Sequence, residues 1–225
     1  MKRVAVVVLA FGLAVAGCSK GASQPAAAPQ LIGANALDRE LLSTGEVDSV
    51  MGTSGMTAHP RVEVMSDHRN LLPNLNCLGI WQVNEAGVYG GDGWIALRQE
   101  LLRSPDSDRW QNLAVQSVVN YPSTDAARDF FEQSSDRWSK CTNHNVNITL
   151  NDKLLPKWRS GELTKTDTEL AIPFTRGNAS GVDSCQRVLA VANNVIVDVQ
   201  ACKRDSSTVT QAVAIAGEIE AKLRR

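Results

Sequence analysis

The residue types that most often do chemistry are arranged here without a familiar catalytic or metal-binding spacing. The three histidines, His59, His68 and His144, are widely separated in segments typical of loops and strand edges, so surface positions are expected rather than a shared metal site. Asp106 and Asp108 lack the further oxygen ligands of a calcium loop. The sequence also contains no Gly-x-Ser-x-Gly, His-Glu-x-x-His, Cys-x-x-Cys or P-loop pattern. It therefore predicts no enzyme activity, no metal and no cofactor.

Aromatic and polar residues around a glycine-rich turn are the best candidates for contact with a ligand. Tyr89 precedes the tetrapeptide Gly-Gly-Asp-Gly at 90–93, and Trp94 follows it. Aromatic side chains beside such a turn suit an apolar or sugar-like ligand, and packing in the core explains them equally well. The candidate ligand-binding residues are Tyr89, Asp92, Trp94, Arg98 and Trp158.

Two cysteines flank the stretch SCQRVLAVANNVIVDVQACK, which covers residues 184–203 and has Asn193 and Asn194 at its centre. Asn tolerates the positive φ of a two-residue type I′ turn, so the stretch predicts a β-hairpin. In this register Cys185 faces Cys202 in a non-hydrogen-bonded pair, with Cα atoms about 4.5 Å apart, which a disulfide can span. The alternative is two free buried thiols.

Alternation of side chains gives this hairpin one small apolar face and one mixed face. The mixed face includes Arg187 and Asp198. A helix predicted over 207–223 carries small residues on one side and is expected to lie flat against the apolar face. That face consists of Gln186, Val188, Ala190, Ala192, Val195, Val197, Val199 and Ala201.

The first twenty residues, MKRVAVVVLAFGLAVAGCSK, predict export and lipidation. Lys2 and Arg3 form a basic region, and the apolar run over 4–16 is too short for a good membrane span. The sequence Val-Ala-Gly-Cys at 15–18 resembles the lipobox of bacterial lipoproteins. This resemblance implies diacylglycerol on the Cys18 sulfur, cleavage before Cys18 and acylation of the new amine, which together anchor a protein stably. A chance Gly-Cys after an ordinary signal peptide is the alternative.

The remaining chain divides into a tether and one domain. Ser19–Gln30 is small, polar and rich in Pro and Ala, which is typical of a flexible linker. We predict a signal peptide over 1–17, a lipidated N-terminus and tether over 18–34, and a folded domain over 35–225. The net charge is −1 and the charges are mixed, which argues against a nucleic-acid partner. The expected location is the extracytoplasmic face of the cell membrane.

Four cysteines remain once Cys18 is assigned to lipid. An even number in an exported protein indicates two disulfides. Because the hairpin register pairs Cys185 with Cys202, Cys77 is left to pair with Cys141. In the chain-entropy model the long loop closed by this second bond contributes roughly 4 kcal/mol to stability.

The secondary structure predicted from periodicity is mixed. Helices are expected over 35–52, 74–83, 123–141 and 207–223. Strands are expected over 60–65, 92–102, 114–121, 146–150, 158–166 and 169–175, followed by the hairpin. Because strands follow strands, we expect an α+β fold with a mainly antiparallel sheet packed against helices.

An ordered set of short segments, with the spacing of four cysteines, carries a family resemblance. The segments are LLS (41–43), VMG (50–52), CLG (77–79), VYGGDGW (88–94), VQSVV (115–119), AA (126–127) with Phe130, WSKC (138–141), and CQR (185–187) through Cys202. Over nearly all of 37–223 the chain resembles the PknH-like extracellular domain family, the sensor domain of mycobacterial receptor Ser/Thr kinases, as a stand-alone lipoprotein. The resemblance implies an α+β fold, the disulfides Cys77–Cys141 and Cys185–Cys202, and a cleft for an unknown ligand. These 225 residues contain no Gly-rich loop, HRD or DFG motif of a kinase.

The combined interpretation is a non-catalytic ligand-binding or sensor-like module on the cell envelope. Its partners would be the membrane, through the lipid, and an unknown small molecule, lipid or glycan. The second hypothesis is a structural lipoprotein that docks to an envelope protein, and the third is an enzyme of unrecognised type. A deep aromatic cleft would favour the first, a flat exposed apolar patch the second, and a buried pair of titratable groups in a cleft the third.

Overall fold

A sheet of antiparallel strands forms the centre of the structure, a computed structural model that describes residues 30–90, 93–155, 157–178 and 181–225. The strands are β1 (Thr57–Ala58), β2 (Ala96–Ser104), β3 (Asn112–Asn120), β4 (Asn145–Val146), β5 (Thr149–Leu150), β6 (Lys153–Leu154), β7 (Trp158–Ser160), β8 (Thr164–Lys165), β9 (Glu169–Asn178), β10 (Gly181–Ala192) and β11 (Val195–Lys203). In these residues the sheet order is β1-β2-β3-β11-β10-β9-β7-β4, with β8 paired to β9 and a separate β5–β6 hairpin. The predicted α+β class with an antiparallel sheet is confirmed.

Helices cover both faces of this sheet. They are α1 (Leu37–Glu40), α2 (Thr44–Met51), α3 (Leu75–Trp81), α4 (Ala86–Tyr89), α5 (Thr124–Ser139) and α6 (Gln211–Leu223), with a short 3₁₀ turn (Ala34–Ala36) before α1. One apolar core lies between the sheet and α1, α2 and α6, and a second lies between the sheet and α3, α4 and α5. The sheet is thus buried on both sides, which explains why its central strands are rich in Val and Ile.

The β10–β11 hairpin has the register expected from its sequence. Ala192 pairs with Val195 across the turn, and Cys185 pairs with Cys202 at the far end. The sulfurs of Cys185 and Cys202 are bonded at 2.00 Å. The second disulfide, Cys77–Cys141, has an S–S distance of 2.01 Å and ties α3 to the chain just after α5. Both predicted pairings are confirmed.

Helix α6 packs on the small apolar face of the hairpin, as its sequence predicts. Ala212 and Ala216 are fully buried against this face, and their short side chains let the helix approach the strands closely. Helix α5 begins after Ser123, whose side-chain oxygen accepts a hydrogen bond from the Ala126 N–H. This N-cap satisfies one of the free donors of the first turn.

The least accurate sequence predictions concern short strands. The strand predicted over 60–65 is not formed, and only Val62 bridges to Gln99 of β2. Pro60 has no N–H to donate, which prevents a regular ladder there, and the short strand at this edge is Thr57–Ala58. The segments 146–150 and 158–166 each break into two shorter strands, and the last helix begins at Gln211 rather than 207.

The mixed face of the hairpin is also buried, and it holds a charge pair. Arg187 is 0% exposed and Asp198 1% exposed, with Nη2 of Arg187 2.5 Å from Oδ1 of Asp198. The Arg187 guanidinium also donates to the carbonyl oxygens of Val199 at 2.6 Å, Gly79 at 2.9 Å and Gln82 at 3.1 Å. The last two carbonyls lie at the C-terminal end of α3, where a cation is favourable.

The second carboxylate oxygen of this pair fixes the segment after α3. Oδ2 of Asp198 accepts hydrogen bonds from the Asn84 backbone N–H at 3.1 Å and from the Tyr89 hydroxyl at 3.0 Å. The Trp138 ring of α5 lies 5.7 Å from the Arg187 guanidinium carbon. Every element of the second helical layer therefore contacts this one pair, directly or through a neighbour.

We expect Asp198→Asn to cost about 3–5 kcal/mol of unfolding free energy, because it leaves the buried Arg187 charge uncompensated. Urea unfolding followed by circular dichroism would measure the loss. Glu132→Gln is the matched control, since it breaks the exposed pair with Lys165, and no measurable change is expected. Equal effects of the two variants would contradict the structural role of the buried pair.

Candidate ligand-binding site

The four described residues among the ligand-binding candidates do not meet in one cleft. Tyr89 is 6% exposed, and its ring stacks on Phe130 with centroids 4.3 Å apart. Its hydroxyl is used by Asp198. Burial, and the nearby Asp198 carboxylate, raise the pKa of the Tyr89 hydroxyl well above its usual value. Tyr89 is thus a core residue.

The other candidates near this turn lie apart. Trp94 is half-buried, and its Nε1–H donates to the Gly90 carbonyl oxygen at 3.4 Å. Arg98 lies beside α1, on the opposite side of the sheet, where its guanidinium pairs with Asp38 at 3.0 Å and Glu63 at 3.4 Å. Asp92 lies outside the described residues.

Trp158 stands on β7, five strands away from β2 in the sheet order, a distance of about 24 Å. It is 8% exposed. The Arg176 guanidinium carbon lies 4.8 Å from the ring centroid, and Phe174 contacts it edge-on at 5.0 Å. The Trp158 ring is thus already packed, with little surface for a sugar or an apolar ligand.

Two of the three histidines, His59 and His68, are each paired with one acid. His59 lies 2.9 Å from Asp106 through Nε2. Nδ1 of His68 lies 2.5 Å from the carboxylate of Glu85, a fully buried side chain that also accepts the His68 backbone N–H. In the described ranges no three His, Cys, Asp or Glu side chains are grouped as metal ligands. These contacts tie loops to the sheet and to α4.

A cavity lies at the end of the domain where residue 30 enters it. Its volume is about 780 Å³, within the range of small-molecule pockets. Segments 30–33 and 223–225 form opposite walls, and Ala36 and Asn193 complete the lining. Leu31, Ile32 and Leu223 make much of this surface apolar, and Leu223 continues into the core beneath α6.

The hairpin turn holds one wall of this cavity in place. Asn194 is 1% exposed, and its side-chain oxygen accepts the Ile32 N–H at 2.8 Å. Its Nδ2 donates to the carbonyl oxygens of Ile32 at 3.1 Å and Tyr121 at 2.7 Å. Asn193 Nδ2 donates to the Gln30 carbonyl oxygen at 2.7 Å. We call these contacts the asparagine clasp.

The sequence prediction placed residues 30–34 in the tether, and it gave Asn193 and Asn194 no role beyond forming the hairpin turn. The signal that could have pointed to the wall is the apolar pair Leu31-Ile32 directly after a stretch of small polar residues. The wall formed by 223–225 gives no comparable signal, because Leu223 reads as an ordinary face residue of an amphipathic helix.

Charges around the cavity are unevenly neutralised. Arg224 is bound by Glu220, one turn earlier on α6. Among the described residues no acidic side chain pairs with Arg225. Burial raises the pKa of Glu220, and Arg224 opposes this. Burial and then the nearby Glu220 raise the pKa of Glu169, at the start of β9.

The fold and this cavity define a class: an α+β domain braced by two disulfides, with a ligand-sized pocket beside its N-terminal segment. The family described as "PknH-like extracellular domain" matches residues 32–222. The chain therefore belongs to the PknH-like extracellular domain family, and the resemblance found in the sequence is confirmed.

Two groups of relatives show how far this similarity extends. The serine/threonine-protein kinase PknH of Mycobacterium bovis is 31% identical over 223 residues, covering 99% of this chain and 36% of the kinase. PknH of Mycobacterium tuberculosis is 31% identical over 202 residues, covering 90% and 32%. This chain thus spans about a third of the length of these kinases.

A solved structure agrees with the fold. The crystal structure of the extracellular domain of PknH from Mycobacterium tuberculosis superposes with a TM-score of 0.77 at 31% identity, and the match covers 86% of this chain and 97% of that one. The domain is therefore extracytoplasmic in type, and the kinase catalytic domain is not in these 225 residues. In the described part, no helix is long and apolar enough to cross a membrane.

We expect Glu169→Gln to stabilise the domain at about pH 7 and to have almost no effect at about pH 4. A carboxyl whose folded pKa is raised adds stability only while protonated, and this is lost as pH rises through the folded pKa. The neutral amide keeps the uncharged form at every pH, so Tm should rise by roughly 1 °C near neutrality.

Thermal unfolding of both proteins across this pH range would measure the difference. Glu218→Gln, a change on the exposed side of α6, is the control and should shift Tm less. A gain for Glu169→Gln that is larger in acid than at neutral pH would contradict the assigned direction.

Proposed function

We propose that this chain is a membrane-anchored, extracytoplasmic binding domain that does no catalysis and takes a ligand in the cavity held by the asparagine clasp. The observation that carries the proposal is the cavity itself: about 780 Å³, largely apolar, and built from both ends of the domain. Pockets of this size and character bind small molecules in many proteins.

Family membership supports a sensing role. The relatives are named as protein kinases, and this chain corresponds to their extracellular part. A domain of this kind would report an external ligand. These 225 residues carry no kinase motif.

Lipid anchoring is the second component of the proposal. Cys18 lies outside the described residues and closes the lipobox-like sequence at 15–18. Eleven residues lie between Cys18 and Gln30, which allows at most about 40 Å between the anchor and the domain. The cavity is adjacent to Gln30, so an anchored domain would keep it near the membrane surface.

Protein docking is the second candidate function, and one surface favours it. The β5–β6 hairpin exposes Leu150 by 44% and Leu154 by 58%, and its register places Leu150 on the face of Lys153 and Leu154 on the other face with Thr149. Exposed leucines on this hairpin suit contact with an envelope protein.

A thermal-shift screen of envelope lipids and glycans against the purified domain separates the two functions. We expect one ligand class to raise Tm, and Leu31→Asp to abolish that rise by placing a charge in the cavity wall. Leu150→Asp is the matched control, because Leu150 is 44% exposed and Leu31 47%, and it should leave the rise intact. A rise abolished only by Leu150→Asp would favour the hairpin, and no rise with any compound would contradict ligand binding.

The anchor is tested independently. Expressed in a bacterium that acylates lipobox proteins, the full chain should lose residues 1–17, gain the mass of its acyl groups and sediment with membranes. Cys18→Ser should remove the added mass and release the protein, because acylation occurs on that sulfur. Membrane association that survives Cys18→Ser would contradict lipidation at this residue.

A further inference from the structure

The apolar and polar residues of the cavity lining lie in different places, and this arrangement indicates the chemistry of a suitable ligand. Leu223 is 4% exposed and Ile32 half-buried, so together they form an apolar floor continuous with the core. Leu31 is 47% exposed and extends this apolar surface outward along one wall. Burying a hydrocarbon chain here would remove the apolar surface of both partners from water.

The polar groups lie on the rest of the lining. Arg225 is exposed and has no acidic partner among the described side chains, whereas Arg224 is shared with Glu220. The exposed Arg225 guanidinium suits an anionic head group.

The same lining argues against other ligand classes. No aromatic side chain is among its residues, so the stacking surface that sugars and bases use is missing from the described wall. The volume is that of a small-molecule pocket, which favours one chain over a two-chain lipid.

We propose that the cavity binds a single-chain amphiphile, with its acyl chain against Leu31, Ile32 and Leu223 and its anionic head at Arg225. This rests on the proposed function, because it names the ligand class of that same cavity. The acyl chain could come from a free envelope amphiphile or from the acyl groups expected on Cys18, which the tether allows to reach the cavity.

Residues 30–225 contain the contacts described above, and the related extracellular domain was crystallised by itself, so this fragment is suitable for the test. Octanoate, decanoate, dodecanoate and tetradecanoate would be titrated below their micelle-forming concentrations by calorimetry. Affinity should rise roughly tenfold for each two added methylenes until the cavity is filled. Equal affinity for octanoate and tetradecanoate would overturn the proposal.

Head-group preference is tested at constant chain length. Dodecanoate should bind about tenfold more tightly than dodecyltrimethylammonium, because only the anion pairs with Arg225. Arg225→Glu should reverse this preference, and Arg109→Glu, an exposed arginine in the β2–β3 loop, should not. A preference unchanged by Arg225→Glu would overturn the assigned head-group position.

Location is tested with the matched leucines. Leu31→Asp should weaken dodecanoate binding at least tenfold, and Leu150→Asp should leave it unchanged. Equal weakening by both would overturn the site. If a compound of another class stabilises the wild type but not Leu31→Asp, while no fatty acid binds, this inference fails and the proposed function stands. If nothing binds, both fail.

The two possible sources of the acyl chain are distinguished with the acylated full-length polypeptide. Dodecanoate binding by the acylated protein as well as by 30–225 indicates a free amphiphile. Binding by 30–225 alone, restored in the full chain by Cys18→Ser, indicates that the protein's own acyl group fills the cavity. Either result supports an acyl-binding cavity.

Discussion

The buried pair of Arg187 and Asp198 is the interaction on which the arrangement of this domain most depends. Removing two charges from water is costly, and the cost is offset by close pairing and by further hydrogen bonds to both side chains. The carbonyl oxygens of Gly79 and Gln82 and the donors of Asn84 and Tyr89 supply many of these partners. All four lie within the segment from α3 to the end of α4, so this segment must dock before the charges can be buried.

The same pair explains why the two faces of the hairpin behave differently. On the α6 side, small side chains such as Ala190 and Val197 allow a helix to pack by shape alone. On the other side, a helix shifted by one turn would move the Gly79 and Gln82 carbonyls away from Arg187 and leave buried guanidinium N–H groups without acceptors. The Cys77–Cys141 bond further limits such movement, because it ties α3 to the end of α5. The Arg187–Asp198 pair thus fixes the position of α3 on a face of the sheet where apolar packing alone would let the helix shift.

Local sequence predicted the parts of this fold that depend on local physics. The hairpin register follows from a turn that tolerates positive φ, and the Cys185–Cys202 bond follows from that register. The burial of Arg187 could not be predicted this way, because its partners are more than a hundred residues away at Gly79 and Gln82. The prediction that Trp158 contacts a ligand failed for the same reason, because only the folded sheet shows that Arg176 and Phe174 cover its ring.

The cavity lies where the sheet meets the N-terminal segment 30–33. The hairpin turn closes the β10–β11 ladder at the centre of the sheet, and Asn194 projects from it to bind residue 32 on both its N–H and its carbonyl. Asn120 of β3 also donates to the Ile32 carbonyl oxygen at 3.2 Å, but the wall is a short segment outside the strand ladders, and such segments open at lower free energy than the core. A ligand that contacts this wall binds only the clasped form, so it stabilises the clasp by mass action. Since the wall is continuous in sequence with the tether, an occupied cavity would fix the point at which the tether leaves the domain.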